Sequence, residues 1–373
     1  MLTWLNINLG AIESNVKKIR GLLDPEVKII AVIKSNAYGH GLVEVGRTAW
    51  AAGAEMLGVS SLEEGATLRM AKIRAPILVM GYSEPEEYRR ILENSLQVTV
   101  FNRDEIATLG KVAARAHMPV RVHLKVDTGM HRLGVAPDEL VEYVKLIKQE
   151  PYLMLEAICS HFADVTDAAY SEEQIKTLHA ALFGLQQAGF ELPAVHMAAS
   201  GAISRYPESC FDMVRPGLAI YGLDENIEGL EPALSWYSKI AQVKRIAADQ
   251  KVGYGLTYTT KRIGALAVVP VGYADGYPRN LSNKGQVLVR GQRVNVVGRV
   301  CMGQMILDVT GINARVGDEV VLIGKSGNDT IRARELADWG ETNPHEIVAR
   351  LSPHLWRHFC RNEEDLLRVK YDL

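Results

Sequence analysis

Val27-Lys28-Ile29-Ile30-Ala31-Val32-Ile33-Lys34-Ser35-Asn36-Ala37-Tyr38-Gly39-His40-Gly41 passes in one step from an apolar, β-branched run to a small, bendable turn, with a lysine at the junction. The Val/Ile run reads as a buried strand of the kind found in parallel sheets. A lysine at the end of such a strand loses hydration, which favours its neutral amine by up to ~3–5 pKa units when burial is complete. That suits it to carbonyl chemistry and imine formation. The structural alternative is a lysine that only snorkels to solvent.

Working outward, eight β-rich runs alternate with segments of helical period: near Val27–Ile33, Glu55–Val59, Pro76–Met80, Leu96–Val100, Val120–Val126, Leu155–Ser160, Ala194–Met197 and Asp212–Arg215. Segments such as Ser61–Lys72 and Pro137–Gln149 supply the helices between them. Strand–helix alternation implies a parallel sheet, and eight units imply closure into a (β/α)8 TIM-like barrel. An open doubly wound sheet is the rival, but its G-x-G-x-x-G fingerprint is missing after the first strand. Barrel active sites lie at the C-terminal ends of the strands. Lys34 ends the first strand, His161 follows the sixth, Ser200 follows the seventh and Arg215 ends the eighth.

Beyond about residue 230 the texture changes to strands without intervening helices: Trp236–Ile246, Ala265–Val271, Gln286–Val289, Val294–Val297, Met305–Val309 and Glu319–Ile323. Gly285, Gly291, Gly311 and Gly317 punctuate them, and short helical patterns near Ala333–Asp338 and His345–Arg350 follow. The reading is a barrel over residues 1–230 and a mostly β domain over 231–373, a division natural for a chain longer than one core supports.

Lys plus Arg total 42 against Asp plus Glu 44, a net charge of −2, and no run of like charges occurs. That balance argues against a nucleic-acid surface. Cys159, Cys210, Cys301 and Cys360 are scattered without a C-x-x-C pair, as expected of reduced thiols in the cytoplasm, and no metal-ligand spacing appears. Met1-Leu2-Thr3-Trp4-Leu5-Asn6 lacks a basic segment followed by an apolar core, and no apolar run approaches the ~20 residues of a membrane span. A cytoplasmic protein without a membrane segment in this chain is expected.

Three motifs carry a family resemblance: Lys34 with Ser35–Gly41, Asp212-Met213-Val214-Arg215-Pro216-Gly217-Leu218-Ala219-Ile220-Tyr221-Gly222, and Gly253-Tyr254-Gly255-Leu256-Thr257-Tyr258. Together they resemble the alanine racemase family, over most of the chain. The resemblance implies that Lys34 holds pyridoxal 5'-phosphate (PLP) covalently and serves as the base on one face of the substrate Cα. It implies a phosphate cradle from the Tyr38 and Ser200 hydroxyls and the backbone of Gly201, Gly217 and Leu218. Arg215 would donate to the pyridine nitrogen, where a permanent cation disfavours ring protonation.

Racemisation needs a base on each face of Cα, and Tyr254 is the implied second one. A phenol with an ordinary pKa of ~10 needs cationic help, which His161, in Cys159-Ser160-His161-Phe162-Ala163, supplies in relatives by linking the tyrosine towards Arg215. Without that context His161 reads as a buried structural histidine. In relatives the tyrosine reaches the cofactor of the other subunit of a head-to-tail homodimer, and the first ten or so residues join the β domain. Tyr273 and Met302 match further positions of the shared site, Met302 offering its backbone N–H to the substrate carboxylate. Arg132 matches an arginine near the cofactor's phenolic oxygen and the substrate carboxylate. Lys125 matches a lysine that some members carry as a carbamate.

Two positions depart from the family pattern. Gly303 stands where aspartate is usual, and Pro353, in Leu351-Ser352-Pro353-His354-Leu355-Trp356-Arg357, stands where tyrosine is common. Proline offers neither hydroxyl nor aromatic ring, so a roomier pocket is expected. The function implied is interconversion of L- and D-alanine to supply D-alanine for peptidoglycan, with serine or a broader range as the alternative. A PLP-dependent decarboxylase of the same architecture is opposed by the Tyr254 motif and Arg215, and a non-enzymatic PLP-binding protein by the presence of residues 231–373.

Overall fold

The computed structural model describes residues 2–361 and 364–371 and separates into two compact units. One comprises residues 12–37 and 42–230; the other comprises residues 1–11, 38–41 and 231–373.

Strand β1 (Thr3–Asn8) comes first in the chain but pairs within the second unit. The eight strands after it are β2 (Lys28–Val32), β3 (Met56–Val59), β4 (Ile77–Val79), β5 (Gln97–Val100), β6 (Val120–Lys125), β7 (Leu153–Cys159), β8 (Ala194–Ala199) and β9 (Met213–Arg215). They form a closed barrel, each parallel to the next, with β2 returning to β9 through Lys28↔Met213 and Ile29↔Val214. Closure excludes the open doubly wound sheet, and each expected run falls on a strand.

Period-two alternation decides what fills the barrel. Ile30, Met56, Leu78, Ala157 and Met213 form one buried apolar layer, with Met80 and Ala194 packed against it. On two of these strands the residue two positions on is ionisable: His196 follows Ala194 and Arg215 follows Met213 on the same face. The interior is therefore greasy below and ionisable above. Helices between the strands start on side-chain caps, Ser61 accepting from the Glu64 N–H, Asn102 from Glu105 and Asp167 from Tyr170.

In the second unit further strands follow: β10 (Leu234–Lys239), β11 (Gln242–Ile246), β12 (Lys251–Val252), β13 (Tyr258–Thr259), β14 (Gly264–Val269), β15 (Gln286–Val289), β16 (Gln292–Val296), β17 (Met305–Asp308), β18 (Glu319–Ser326), β19 (Asp329–Ile331), β20 (Trp356–Arg361) and β21 (Glu364–Val369). The main sheet runs β11-β14-β17-β16-β15-β18-β10-β1-β20-β21, with β19 on β18. β1 is antiparallel to β10 and parallel to β20.

The run expected over Trp236–Ile246 is two strands. The chain changes partners between them, Ile240 N donating to Asp318 O and Ala241 N to Val268 O. β20 and β21 escaped the sequence reading because Trp356-Arg357-His358-Phe359-Cys360-Arg361 mixes charge with apolar residues, whereas Arg357 and Phe359 are both fully buried. Among the described residues no helix is long and apolar enough to cross a membrane.

Leu5 and Ile7 of β1 are fully buried in the second unit's core. Ile7→Ala is expected to destabilise that unit by about 2–5 kcal/mol, the cost of a buried Ile-to-Ala truncation, read as a lower denaturant midpoint by circular dichroism.

Candidate active site

Directly after β2 the chain makes a left-handed turn. Ser35, Asn36, Ala37 and Tyr38 have φ of 54°, 53°, 52° and 51°. L-residues there cost roughly 1–2 kcal/mol each, so such a run persists only where its surroundings hold it. Glu64, in the helix after β3, provides the hold. Its Oε1 accepts from Asn36 N (2.9 Å), and its Oε2 accepts from Ser60 N and Ser60 Oγ (both 2.9 Å). Asn36 in turn accepts from Leu42 N through Oδ1 (2.8 Å). Lys34, at the head of this turn, is half-buried. Burial depresses its pKa, the Arg132 charge depresses it further, and the Glu64 carboxylate opposes both.

Arg215 ends β9 and is 7% exposed. Among the described residues no carboxylate hydrogen-bonds its guanidinium. Nη2 donates to Ser160 O (2.6 Å), Met197 O (2.9 Å) and His161 Nδ1 (3.0 Å), while Nη1 donates to His196 O (3.1 Å) and His196 Nδ1. His196 and Met197 sit at an irregularity in the β8–β9 pairing, whose register shifts between His196↔Met213 and Ala199↔Arg215, and His196 O also accepts from Ser160 N (3.1 Å). Burial, with Arg215 next, pushes the His161 and His196 imidazoles well below their ordinary pKa, so both are neutral acceptors.

His161 also feels the positive charges of Lys125, Arg132 and Lys34, which places all four cations at one end of the barrel. Lys125 ends β6 and is pushed down to about 8, chiefly by burial, with Arg215 and Arg132 adding repulsion and Cys159 opposing it. Arg132 lies in an exposed loop braced by Asp127, whose Oδ1 accepts from Gly129 N (3.0 Å) and His131 N (2.9 Å).

Ser200 follows β8 at the start of the helix Ser200–Arg205. Its buried Oγ accepts from Gly217 N (2.9 Å) and Ala219 N (3.1 Å), so the hydroxyl and the backbone after β9 converge. Leu218 lies between those two amides, and a Cβ on Gly201 would stand 3.0 Å from Val165 Cγ2. A cofactor bearing an aldehyde, a ring nitrogen and a phosphate fits these donors: an amine with suppressed charge, a fixed cation and a set of hydroxyl and amide groups. Lys34 would hold the aldehyde carbon, Arg215 the ring nitrogen and Ser200 with its neighbouring amides the phosphate.

In the β unit, Tyr254 is 72% exposed, Met302 64% and Tyr273 40%. Tyr273 N donates to Cys301 O (3.1 Å) and Ala274 N to Met302 O (2.9 Å), so these two segments are stitched together. Gly253 and Gly255, flanking Tyr254, adopt φ of 76° and 70° and pack against Gly298 and Arg299. Nothing lies within 4 Å of a Cβ built on Gly303. Pro353 is partly exposed, and its carbonyl accepts from Arg357 Nη1 (3.3 Å). Tyr38, also in this unit, is 9% exposed, has its hydroxyl pushed up to about 12 by burial, and lies 5.9 Å from the His345 ring between centroids.

A barrel mouth that gathers Arg215, Lys125 and Arg132 at the same end as a charge-suppressed amine defines an enzyme for anionic amine or carbonyl chemistry. Comparisons with known proteins make this specific. The family model "Alanine racemase, N-terminal domain" matches residues 7–225, and "Alanine racemase, C-terminal domain" matches 233–359. An alanine racemase of Halothermothrix orenii is 40% identical over 96% of both chains, and one of Desulforamulus reducens is 42% identical over 92% of this chain and 95% of its own. Among solved structures, alanine racemase from Bacillus anthracis with bound L-Ala-P superposes with a TM-score of 0.93 at 36% identity, covering 99% of this chain and 97% of that one. The Bartonella henselae enzyme with covalently bound pyridoxal phosphate gives 0.87 at 27% identity, covering 96% and 100%. The chain belongs to the alanine racemase family. It is a PLP-dependent isomerase.

Glu64, His196, His123 and Gln97 escaped the sequence reading. Glu64 lies in the first turn of a helix, where an acid is ordinary, and the other three sit inside apolar strands where only a polar residue in the wrong place signals them. Replacing Glu64 with Gln is expected to lower the Lys34 pKa further, because the carboxylate is what favours the ammonium. The pH midpoint for covalent PLP attachment to the apoprotein then moves down, measured from the rise in cofactor absorbance.

Proposed function

We propose that the chain interconverts L- and D-alanine, with Lys34 and Tyr254 as bases on opposite faces of the substrate Cα, in a head-to-tail homodimer that shares its active sites. The D-alanine formed would serve peptidoglycan synthesis in the cytoplasm. The observation that carries the reading is the half-buried Lys34 amine just past β2 at the barrel mouth, in a chain akin to alanine racemases over nearly its whole length. The exposure of Tyr254, Leu256 and Met302 supports the dimer, since large side chains left open on one unit are the kind a second copy covers.

When bound, PLP supplies an electron-withdrawing ring that acidifies the Cα–H of the attached amino acid. The Lys34 amine, uncharged in good part because it is desolvated, accepts or returns that proton on one face. The phenol oxygen of Tyr254 of the partner subunit does so on the other. His161, its Nδ1 already accepting from Arg215, keeps its proton on Nε2 and presents it towards the tyrosine. Arg132 faces the substrate carboxylate, with Met302 N–H as a second donor, and Tyr273 bounds the pocket. Tyr38 and Ser200, with Gly201, Gly217 and Leu218, hold the phosphate.

Lys125 is the group that braces Arg132, as a carbamate. Its amine, with a pKa of about 8, attacks the carbon of carbon dioxide and sheds a proton, exchanging a repelling cation for a carboxylate. Protein equilibrated with 13C-bicarbonate should show a carbamate resonance that disappears in Lys125→Ala.

Tyr254→Phe is the direct test of the two-base assignment. In deuterated water the variant should retain Cα exchange of one alanine enantiomer and lose inversion by about 10²–10⁴-fold. Undiminished racemisation in both directions would remove Tyr254 from the mechanism.

A further inference from the structure

His196 does more than accept from Arg215. Its Nε2 lies 2.8 Å from His123 Nδ1, and His123 Nε2 lies 2.8 Å from Gln97 Oε1. The four side chains come from β9, β8, β6 and β5, so the row crosses the barrel interior. His123 and His196 are 0% and 1% exposed, with rings edge-to-face at 5.1 Å between centroids. Barrel interiors are ordinarily filled by branched apolar side chains, and a buried imidazole is costly unless both nitrogens are satisfied.

Only one proton arrangement satisfies this row. Arginine can only donate, so His196 Nδ1 must carry a lone pair. A neutral His196 then has its proton on Nε2 and donates to His123 Nδ1. His123 in turn has its proton on Nε2 and needs an acceptor beyond it. The amide oxygen of Gln97 is that acceptor. Were the order reversed, His196 would have to accept at both nitrogens, which a neutral imidazole cannot do.

We propose that Gln97 and His123 are positioning residues for Arg215: they hold His196 as the Nε2–H tautomer, so that its Nδ1 stays open to Arg215 Nη1 and the guanidinium keeps one orientation. The uncharged end matters as much as the geometry. A carboxylate at position 97 would draw a second proton onto His123, turning its Nδ1 into a donor. His196 would then take its proton on Nδ1 and confront Arg215 donor to donor. The charged and titratable groups facing the two imidazoles are Arg215, Lys125 and His161, and the row contains no carboxylate to offset them.

The inference rests on Arg215 serving the cofactor ring, and its first test needs no turnover, so its failure is separable from failure of that reading. Imidazole 15N–13C correlation spectra of histidine-labelled holoenzyme should show His123 and His196 neutral and protonated on Nε2, assigned through His123→Asn and His196→Asn. A proton on Nδ1 of either ring overturns the proposal. Gln97→Glu should show doubly protonated His123 at neutral pH and PLP retention about tenfold weaker, the worth of one charge-assisted hydrogen bond. Its kcat should acquire an acid limb absent from the parent, with KM little changed, and recover as pH rises and the added proton leaves. Should this variant fail to fold, Gln97→Met, which keeps the volume and removes the acceptor, should also weaken PLP retention. A Gln97→Glu protein with parental tautomers, cofactor retention and pH profile overturns the proposal.

Discussion

A guanidinium buried without a carboxylate is the constraint around which the barrel is organised. Arg215 keeps its charge, and hiding an uncompensated cation would be prohibitive if its N–H groups were left idle. The protein answers with dipoles in place of a counter-ion: three backbone carbonyls and two imidazole nitrogens. A carboxylate partner would have neutralised the site. Carbonyls satisfy the donors and leave the positive field intact for a ligand.

Several local irregularities follow from that choice. The pairing of β8 with β9 slips between His196 and Ala199, where the His196 and Met197 carbonyls accept from the arginine. The barrel's apolar layer stops at Ala194 and Met213, and polar side chains take over two residues further along the same strands. After β3, two strands round the barrel from β9, Glu64 serves a left-handed backbone turn rather than an arginine, and its charge reaches Lys34 through space. Lys34 and Lys125 thus both have their charge suppressed by burial, with Arg132 adding repulsion to each.

Much of this was legible in the residues. β-rich runs alternating with segments of helical period marked all eight barrel strands, because strands buried on both faces cannot hide their composition. Lys34 stood out because a lysine ending such a strand has no structural reason to be there. Arg215, Tyr254 and Ser200 were reached through motif resemblance, since an arginine before Pro216-Gly217 has no local signature of burial. What stayed hidden was anything defined by pairing across the barrel: Gln97, His123 and His196 are far apart in sequence and meet only when the sheet closes. Strand β20 stayed hidden for the converse reason, since Arg357 reads as a surface residue until its partners, among them Gly39 O at 2.9 Å, are known.

That bond ties position 357 to position 39, and residues 38–41 and 1–11 are grouped with the C-terminal portion. The chain is threaded so that neither compact body is made of one continuous stretch. A ribosome finishing the barrel has not yet made the side chain that secures the loop after its first strand. Such far-flung closure slows folding and lengthens the time that strand edges stay open. The bond at position 39 is therefore one that only synthesis of β20 makes available.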